Sequence, residues 1–159
     1  MLNQFTQHKI WAYLSETQKD LILEGKYVME MSEKAAHQFK DYSFLVFPFA
    51  KAYEGFLKQL FLDVGFITHL DYISDHFRLG KFLSPHLTHK LGEQSLYVQV
   101  INHSSQELAD KIWNTWKYGR NEIFHYYPHN LKRITLQGAE ETNTDMLRTM
   151  IEAYEKLKQ

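Results

Sequence analysis

Cysteine is absent from the 159 residues of the sequence. Its absence excludes disulfide bonds, iron–sulfur clusters and catalysis by a thiol nucleophile. Glycine and proline are scarce, with seven and three residues, which argues against a β-sandwich or barrel with many tight turns. The N-terminus lacks the segments of a secretory signal, and the longest apolar run, 44–50, is too short to cross a bilayer. We therefore expect a soluble, cytoplasmic, helix-rich protein without membrane contact.

The charge balance gives no general attraction to nucleic acid. Eighteen basic and nineteen acidic residues leave a formal net charge of −1, so any contact with a phosphate backbone must be local. Hydrophobic residues make up 44% of the chain and aromatic residues 15%, enough to build one substantial core. The sequence has no internal repeat, low-complexity tract or linker, and we predict a single domain over residues 1–159.

Apolar residues recur at helical spacing along most of the chain. The first helix should end at Gly25 and the third at Gly65, while Pro48 should either lie near the first turn of the third helix or kink it. Ser104 and Glu107 have the spacing of a capping box at the start of a fourth main helix that Pro128 ends. The predicted helices cover about 3–23, 26–39, 42–64, 104–128 and 145–158, with short helical pieces over 71–91 and a short extended piece at 134–136. The pattern predicts an all-α, up-and-down helical bundle with short extra helices.

The stretch 120–127 is the most informative for function. Arg120 offers a permanently charged guanidinium fork to phosphate oxygens, and His125 can take or give a proton near neutral pH. Such a pair can cleave RNA by internal transesterification without a metal. Lys117 and Asn121 share a polar face of the predicted helix with His125. On an ideal helix Arg120 and His125 diverge by roughly 140°, so a kink or a second copy of the motif is needed to bring them together.

The bare spacing has a simpler interpretation, which is a solvated helix face. The Arg120-Asn121-x-x-x-His125 pattern nevertheless resembles the Arg-x(4–6)-His signature of the HEPN superfamily of ribonucleases and toxins. That resemblance implies an all-α bundle that dimerises so that two motifs form one composite cleft, and in catalytic members it implies metal-independent cleavage of RNA. It makes Arg120, His125 and Asn121 the candidate catalytic residues, with no cofactor and no metal, and RNA as the substrate of a homodimer.

A second segment narrows the resemblance. Residues 49–58, with the pair Glu54-Gly55, resemble an earlier helix of the RNase LS-type toxins, where the Glu-Gly pair supplies a third active-site residue. The resemblance implies that Glu54 supports His125; the alternative is a surface ion pair between Glu54 and Lys58. The resemblance covers about residues 42–128. It also implies an inhibitory antitoxin protein as a partner, in a toxin–antitoxin or phage-defence setting.

Tyr127 extends the motif to Arg-x4-His-x-Tyr. This form resembles HEPN toxins that a nucleotidyltransferase antitoxin silences by adding AMP to the tyrosine, so Tyr127 is a candidate AMP acceptor. Together with Lys117 it is also a candidate RNA-binding residue. Trp113 can stack on bases, whereas Trp116 lies on the apolar stripe and should be buried.

Other chemistries have weaker support. Four histidines, His69, His76, His86 and His89, lack the carboxylates and the spacing of a recognised metal site. The sequence contains no Gly-rich phosphate loop and no nucleophile elbow. Two alternatives to a nuclease remain: a non-catalytic HEPN domain that binds RNA, nucleotide or an antitoxin, and a plain interaction bundle in which the motif occurs by chance.

Overall fold

The structure, a computed structural model, describes residues 1–158; the predicted domain runs to Gln159, which lies outside them. The described part contains no strand, and the predicted all-α class is confirmed. Its α-helices are, in order, α1 Leu2–Gln7, α2 Lys9–Tyr13, α3 Glu16–Lys34, α4 Phe47–Asp63, α5 His69–Ile73, α6 Leu79–Phe82, α7 Thr88–Leu91, α8 Leu96–His103, α9 Gln106–Trp116 and α10 Leu136–Leu157. Short 3₁₀ turns lie at Ser43–Leu45, Pro85–Leu87, Gly92–Gln94 and Pro128–Asn130.

The four longest helices alternate in direction. The Gln18 side chain near the start of α3 donates to Gln59 near the end of α4, so these two helices are antiparallel. Helix α10 runs parallel to α4, since Asn143 bonds to the Leu45 carbonyl and Lys158 to Asp63. It runs antiparallel to α9, because Lys111 pairs with Glu152 and Gly119 lies against Met146. These directions make an up-and-down bundle of α3, α4, α9 and α10.

Helix α4 is the central helix, as its broad apolar stripe predicts. Its buried residues are Phe49, Ala50, Ala52, Tyr53, Phe56, Leu57, Leu60 and Phe61. Pro48 lies in the first turn, where no backbone donor is lost, and Gly65 follows the helix end with a φ of +77°, both as predicted. The buried Tyr53 hydroxyl donates to the Ile112 carbonyl over 3.1 Å, which ties α4 to α9.

The predicted division of the N-terminal region at Gly25 is wrong. The chain breaks earlier, at His8 and at Leu14, and a capping box of Ser15 and Gln18 starts the long helix α3. Gly25 lies inside α3, where a Cβ atom would come within 2.6 Å of the Phe49 ring. The glycine therefore allows α3 to pack closely against α4, and α3 continues to Lys34 instead of a second helix reaching residue 39.

The prediction for the fourth main helix is wrong at both of its ends. Its N-cap is Ser105, whose hydroxyl accepts from the Leu108 N–H over 3.2 Å, so the predicted Ser104–Glu107 box does not form. The α-helix stops at Trp116 and continues as a π-helical turn, Lys117–Asn121. There the Glu122 N–H donates to the Lys117 carbonyl over 2.9 Å, an i→i+5 hydrogen bond. The remaining residues to Pro128 form turns and a bend.

Three further elements differ in part from the prediction. The stretch 71–91 does form short helices, as predicted, while α8 has no counterpart among the predicted helices. No strand forms at 134–136, because Thr135 caps α10 and Leu136 is already helical. Helix α10 therefore starts well before the predicted residue 145.

Candidate functional site

Arg120 is held from two sides at the end of the π-helical turn. Its Nη2 atom lies 3.5 Å from Glu54 Oε2 on α4. Its guanidinium also stacks on the Trp116 ring, with Cζ 5.0 Å from the ring centroid. The side chains of Arg120 and Glu54 keep 39% and 29% of their surface exposed, so the pair is open to a ligand from solvent.

The helix changes form around Gly119, which packs against α10. Gly119 is buried, and a Cβ atom on it would come within 2.6 Å of the terminal methyl of Met146 on α10. The π-helical turn adds one residue relative to an α-helical turn, which moves the following side chains by about 100° around the axis. Tertiary contacts of Gly119 and Arg120 with α10 and α4 thus accompany the altered turn.

His125 lies beyond the helical end, in a bend, and is exposed. Its Nε2 atom is 3.2 Å from Asn121 Oδ1. An amide oxygen can only accept, so this hydrogen bond requires the proton on Nε2, and neutral His125 then carries its lone pair on Nδ1. The ideal-helix angle between Arg120 and His125 does not apply, because the chain has left the α-helix before His125.

A cleft of about 450 Å³ opens beside Arg120. It runs between α4 and the end of α9 on one side and the segment 74–81, which includes most of α6, on the other. We call it the Arg120 cleft. Its charged lining residues are Glu54, Asp75, Lys58, Arg78, Lys81 and Arg120, and its larger aromatic ones are Phe77, Trp113 and Trp116. Four cations against two carboxylates make the lining locally basic in a chain of net charge −1.

The predicted site residues fall into two groups. Glu54, Arg120 and Asn121 line the Arg120 cleft, and Asn121 connects it to His125. Glu54 pairs with Arg120, so the alternative ion pair with Lys58 does not form in the described residues; support of His125 by Glu54 stays a prediction. Trp116 is buried, as predicted, with 4% of its surface exposed.

Lys117 and Tyr127 lie outside the cleft lining. The Lys117 ammonium lies 3.9 Å from Glu122 and 4.8 Å from the Tyr118 ring centroid. Tyr127 is half-buried beneath the Lys132 ammonium, 4.8 Å from its ring centroid. Their predicted contacts with RNA, and the role of Tyr127 as an AMP acceptor, stay predictions.

The sequence pattern did not indicate the far wall of the cleft. Arg78 and Lys81 lie in the stretch of short helices, where no periodic pattern shows which side chains share a face. Lys58, on the opposite wall in α4, was predicted only as a possible ion-pair partner of Glu54. The sequence pattern that could have indicated this wall is the basic pair Arg78-x-x-Lys81 around Gly80. In the structure this glycine approaches the Trp116 indole.

Asp41 holds the segment that follows His125. Its carboxylate accepts from the Asn130 side chain over 2.8 Å, from the Ile134 N–H over 3.3 Å and from the Ser43 N–H over 3.0 Å. Burial alone would raise the pKa of Asp41, but the hydrogen bonds from Ser43, Asn130 and Ile134 together outweigh it and lower the pKa. The loop after the motif is therefore fixed to the segment that leads into α4.

Within residues 1–158 no three or more histidine, aspartate or glutamate side chains converge as a metal site would require. None of the helices there is both long enough and apolar enough to cross a membrane.

The family model described as "RNase LS, bacterial toxin DBD domain" matches residues 6–127. The chain belongs to this RNase LS bacterial toxin family. The resemblance to RNase LS-type toxins, drawn from residues 42–128, is thereby confirmed. The match includes Glu54, Arg120, His125 and Tyr127, and it ends before α10. Neither a curated protein nor a solved structure matches the chain.

Proposed function

We propose that this member of the RNase LS toxin family is a metal-independent endoribonuclease of a toxin–antitoxin or phage-defence system. The observation that carries the proposal is the Glu54–Arg120 pair at the cleft, joined through Asn121 to the exposed His125. A fixed guanidinium and a proton-transfer group next to one cleft are what RNA transesterification requires.

In the proposed reaction His125 Nδ1 takes the proton from the 2′-hydroxyl of the nucleotide before the scissile phosphate. The 2′-oxygen then bonds to phosphorus, and the bond from phosphorus to the 5′-oxygen breaks. The leaving 5′-oxygen takes a proton from water, and His125 then releases the proton that it took to solvent, which gives a 2′,3′-cyclic phosphate and a 5′-hydroxyl end. Arg120 binds the phosphate and stabilises its developing charge. Asn121 fixes the ring of His125, and Glu54 orients Arg120 as a positioning residue.

A homodimer is part of the proposal. His125 is exposed and is not among the residues that line the Arg120 cleft. A second copy of the chain that contributes its motif to the same cleft would place a His125 beside Arg120. RNA is then the substrate, and an antitoxin protein that covers this surface, or modifies Tyr127, is the proposed inhibitory partner.

A second candidate function is a non-catalytic domain that binds RNA, nucleotide or an antitoxin. The exposed position of His125 outside the cleft lining favours it. The matching family model also describes one domain of the toxin rather than the whole nuclease.

The decisive experiment incubates purified protein with labelled mixed-sequence RNA in excess EDTA, beside His125→Ala and a control, His89→Ala, which changes an exposed histidine on α7. We expect cyclic-phosphate ends from the wild type and the control and a loss of about 10²-fold or more in His125→Ala. Circular dichroism checks that each variant is folded. Equal cleavage by His125→Ala would overturn the assignment, and RNA that is bound but uncut by all three would favour the binding domain.

A further inference from the structure

Three cations that line the Arg120 cleft have no carboxylate partner. Lys58 lies on α4, while Arg78 and Lys81 lie on the opposite wall, in the segment 74–81. Within the described residues none of them takes part in an ion pair. Arg120 differs from them, because Glu54 already neutralises it in part. The charge of these three side chains is therefore available to an anionic ligand.

The two lysines lie against a shared aromatic support. The Lys58 ammonium is 5.9 Å from the Phe77 ring centroid, and the Lys81 ammonium is 5.5 Å from that of Phe82. The Phe77 and Phe82 rings stack on one another with centroids 4.8 Å apart and planes 13° apart. Contact with the rings restricts the lysine stems while the ammonium groups stay at the surface, which lowers the entropy cost of binding an anion.

Gly80 fixes the wall that carries Arg78 and Lys81 relative to Arg120. A Cβ atom on Gly80 would lie 2.4 Å from Trp116 Nε1, so α6 rests directly on the indole. The Arg120 guanidinium lies over the same indole, 5.0 Å from the ring centroid. Arg78 and Lys81 are thus joined to Arg120 through one buried side chain, and Lys58 lines the same cleft from α4.

We propose that the Arg120 cleft is a groove for single-stranded RNA in which Lys58, Arg78 and Lys81 bind backbone phosphates next to the scissile one. The inference rests on the proposed ribonuclease function and adds the residues that hold its substrate. A cleft of about 450 Å³ has the size of a pocket for a small ligand, so it admits a short stretch of one strand and not a duplex. Unpaired ammonium and guanidinium groups bind such a strand through its phosphates, independently of base sequence.

The test measures binding of a fluorescent 2′-O-methyl RNA, whose blocked 2′-oxygen prevents cleavage, over a series of salt concentrations. The variants are Lys58→Ala, Lys81→Ala, Arg78→Ala and the double lysine variant. Lys34→Ala on the exposed end of α3 is the control, since this lysine lies outside the cleft. Lys58→Arg and Lys81→Arg keep the charge and should keep the affinity. Thermal melting of each protein excludes loss of fold as the cause.

Each single alanine variant should bind about threefold more weakly and reduce the slope of log Kd against log salt by about 0.7, and the double variant should bind about tenfold more weakly. Affinities and slopes equal to those of the wild type and Lys34→Ala would overturn the groove, as would a wild type that does not bind the probe.

A parallel cleavage assay separates this inference from the ribonuclease proposal. Binding that depends on the three cations, with no cleavage of ordinary RNA by the wild type, would support the groove and contradict the catalytic assignment. Cleavage that keeps the same KM in the lysine variants would contradict the groove and leave the ribonuclease intact.

Discussion

Gly80 shows how a single missing side chain shapes the site. The Trp116 ring lies where a Cβ atom on Gly80 would be, with Nε1 at 2.4 Å and Cε2 at 3.0 Å. Trp116 is buried, with 4% of its surface exposed, and cannot yield as a flexible surface side chain does. Gly80 thereby sets the distance between the wall that carries Arg78 and Lys81 and the Trp116 side chain, which supports Arg120.

We predict that Gly80→Ala destabilises the fold by about 1–3 kcal/mol, because the indole must shift in a packed core, and lowers the melting temperature by about 3–10 °C. Thermal unfolding followed by circular dichroism measures this. Gly55→Ala is the control, since the nearest atom to its Cβ would be the side-chain amide of Gln18, at the longer distance of 3.2 Å. A melting temperature of Gly80→Ala equal to that of the wild type would show that α6 does not rest on Trp116.

At the scale of elements, the helices were predictable where local pattern determines them. The apolar stripe of α4, with Pro48 in its first turn and Gly65 after its end, is enough to place that helix. The stripe through Leu108, Ile112 and Trp116 likewise places α9. The break after Trp116 was not predictable, because the apolar pattern continues at α-helical spacing past it. The π-helical turn follows contacts with α10 and α4 that no local pattern contains.

In the candidate site, too, local pattern predicts some features and tertiary packing decides others. Glu54 and Arg120 were predicted as members of one site, and the structure brings them together. Asn121 and His125 were predicted to share one helix face, and they are hydrogen-bonded although the chain has left the α-helix before His125. Arg78 and Lys81 reach the cleft through a series of short helices, whose directions the tertiary packing decides.

Asp41 gives a pH-dependent prediction for the loop after His125. Its pKa is lowered from 3.8 in the folded state, so its contribution to stability is present above that value and is lost as the pH falls through the lowered pKa. We expect Asp41→Asn to destabilise the fold by about 1 kcal/mol at neutral pH, with the difference from the wild type shrinking in acid below pH 3.8.

Urea unfolding of both proteins at several pH values measures that difference. Asp20→Asn, a change at an exposed residue of α3, is the control. A stability difference for Asp41→Asn that stays constant from neutral to acidic pH would contradict the assigned role of the carboxylate.

At the scale of the whole molecule, the proposed homodimer can be tested with pairs of inactive variants. If the proposed dimer joins Arg120 of one copy with His125 of the other, neither Arg120→Ala nor His125→Ala should cleave RNA alone. Mixed and allowed to exchange subunits, the two variants should regain a measurable part of the wild-type activity, because mixed dimers contain one intact pair.

Light scattering gives the mass of each protein before the mixing experiment. Wild type mixed with His125→Ala is the control for exchange. A dimer whose mixed variants stay inactive would mean that each copy completes its own site, and a monomer with full activity would exclude the shared site altogether.

The contact between Arg120 and Trp116 has an optical consequence. Of the three tryptophans in the chain, Trp113 and Trp116 line the Arg120 cleft, while Trp11 packs against Phe5 near the N-terminus. The emission of an indole depends on the charges and solvent around it, and a strand that draws the guanidinium away changes both for Trp116. The protein therefore contains its own fluorophore at the cleft, and the proposed binding of an unlabelled strand can be tested in real time by its intrinsic emission.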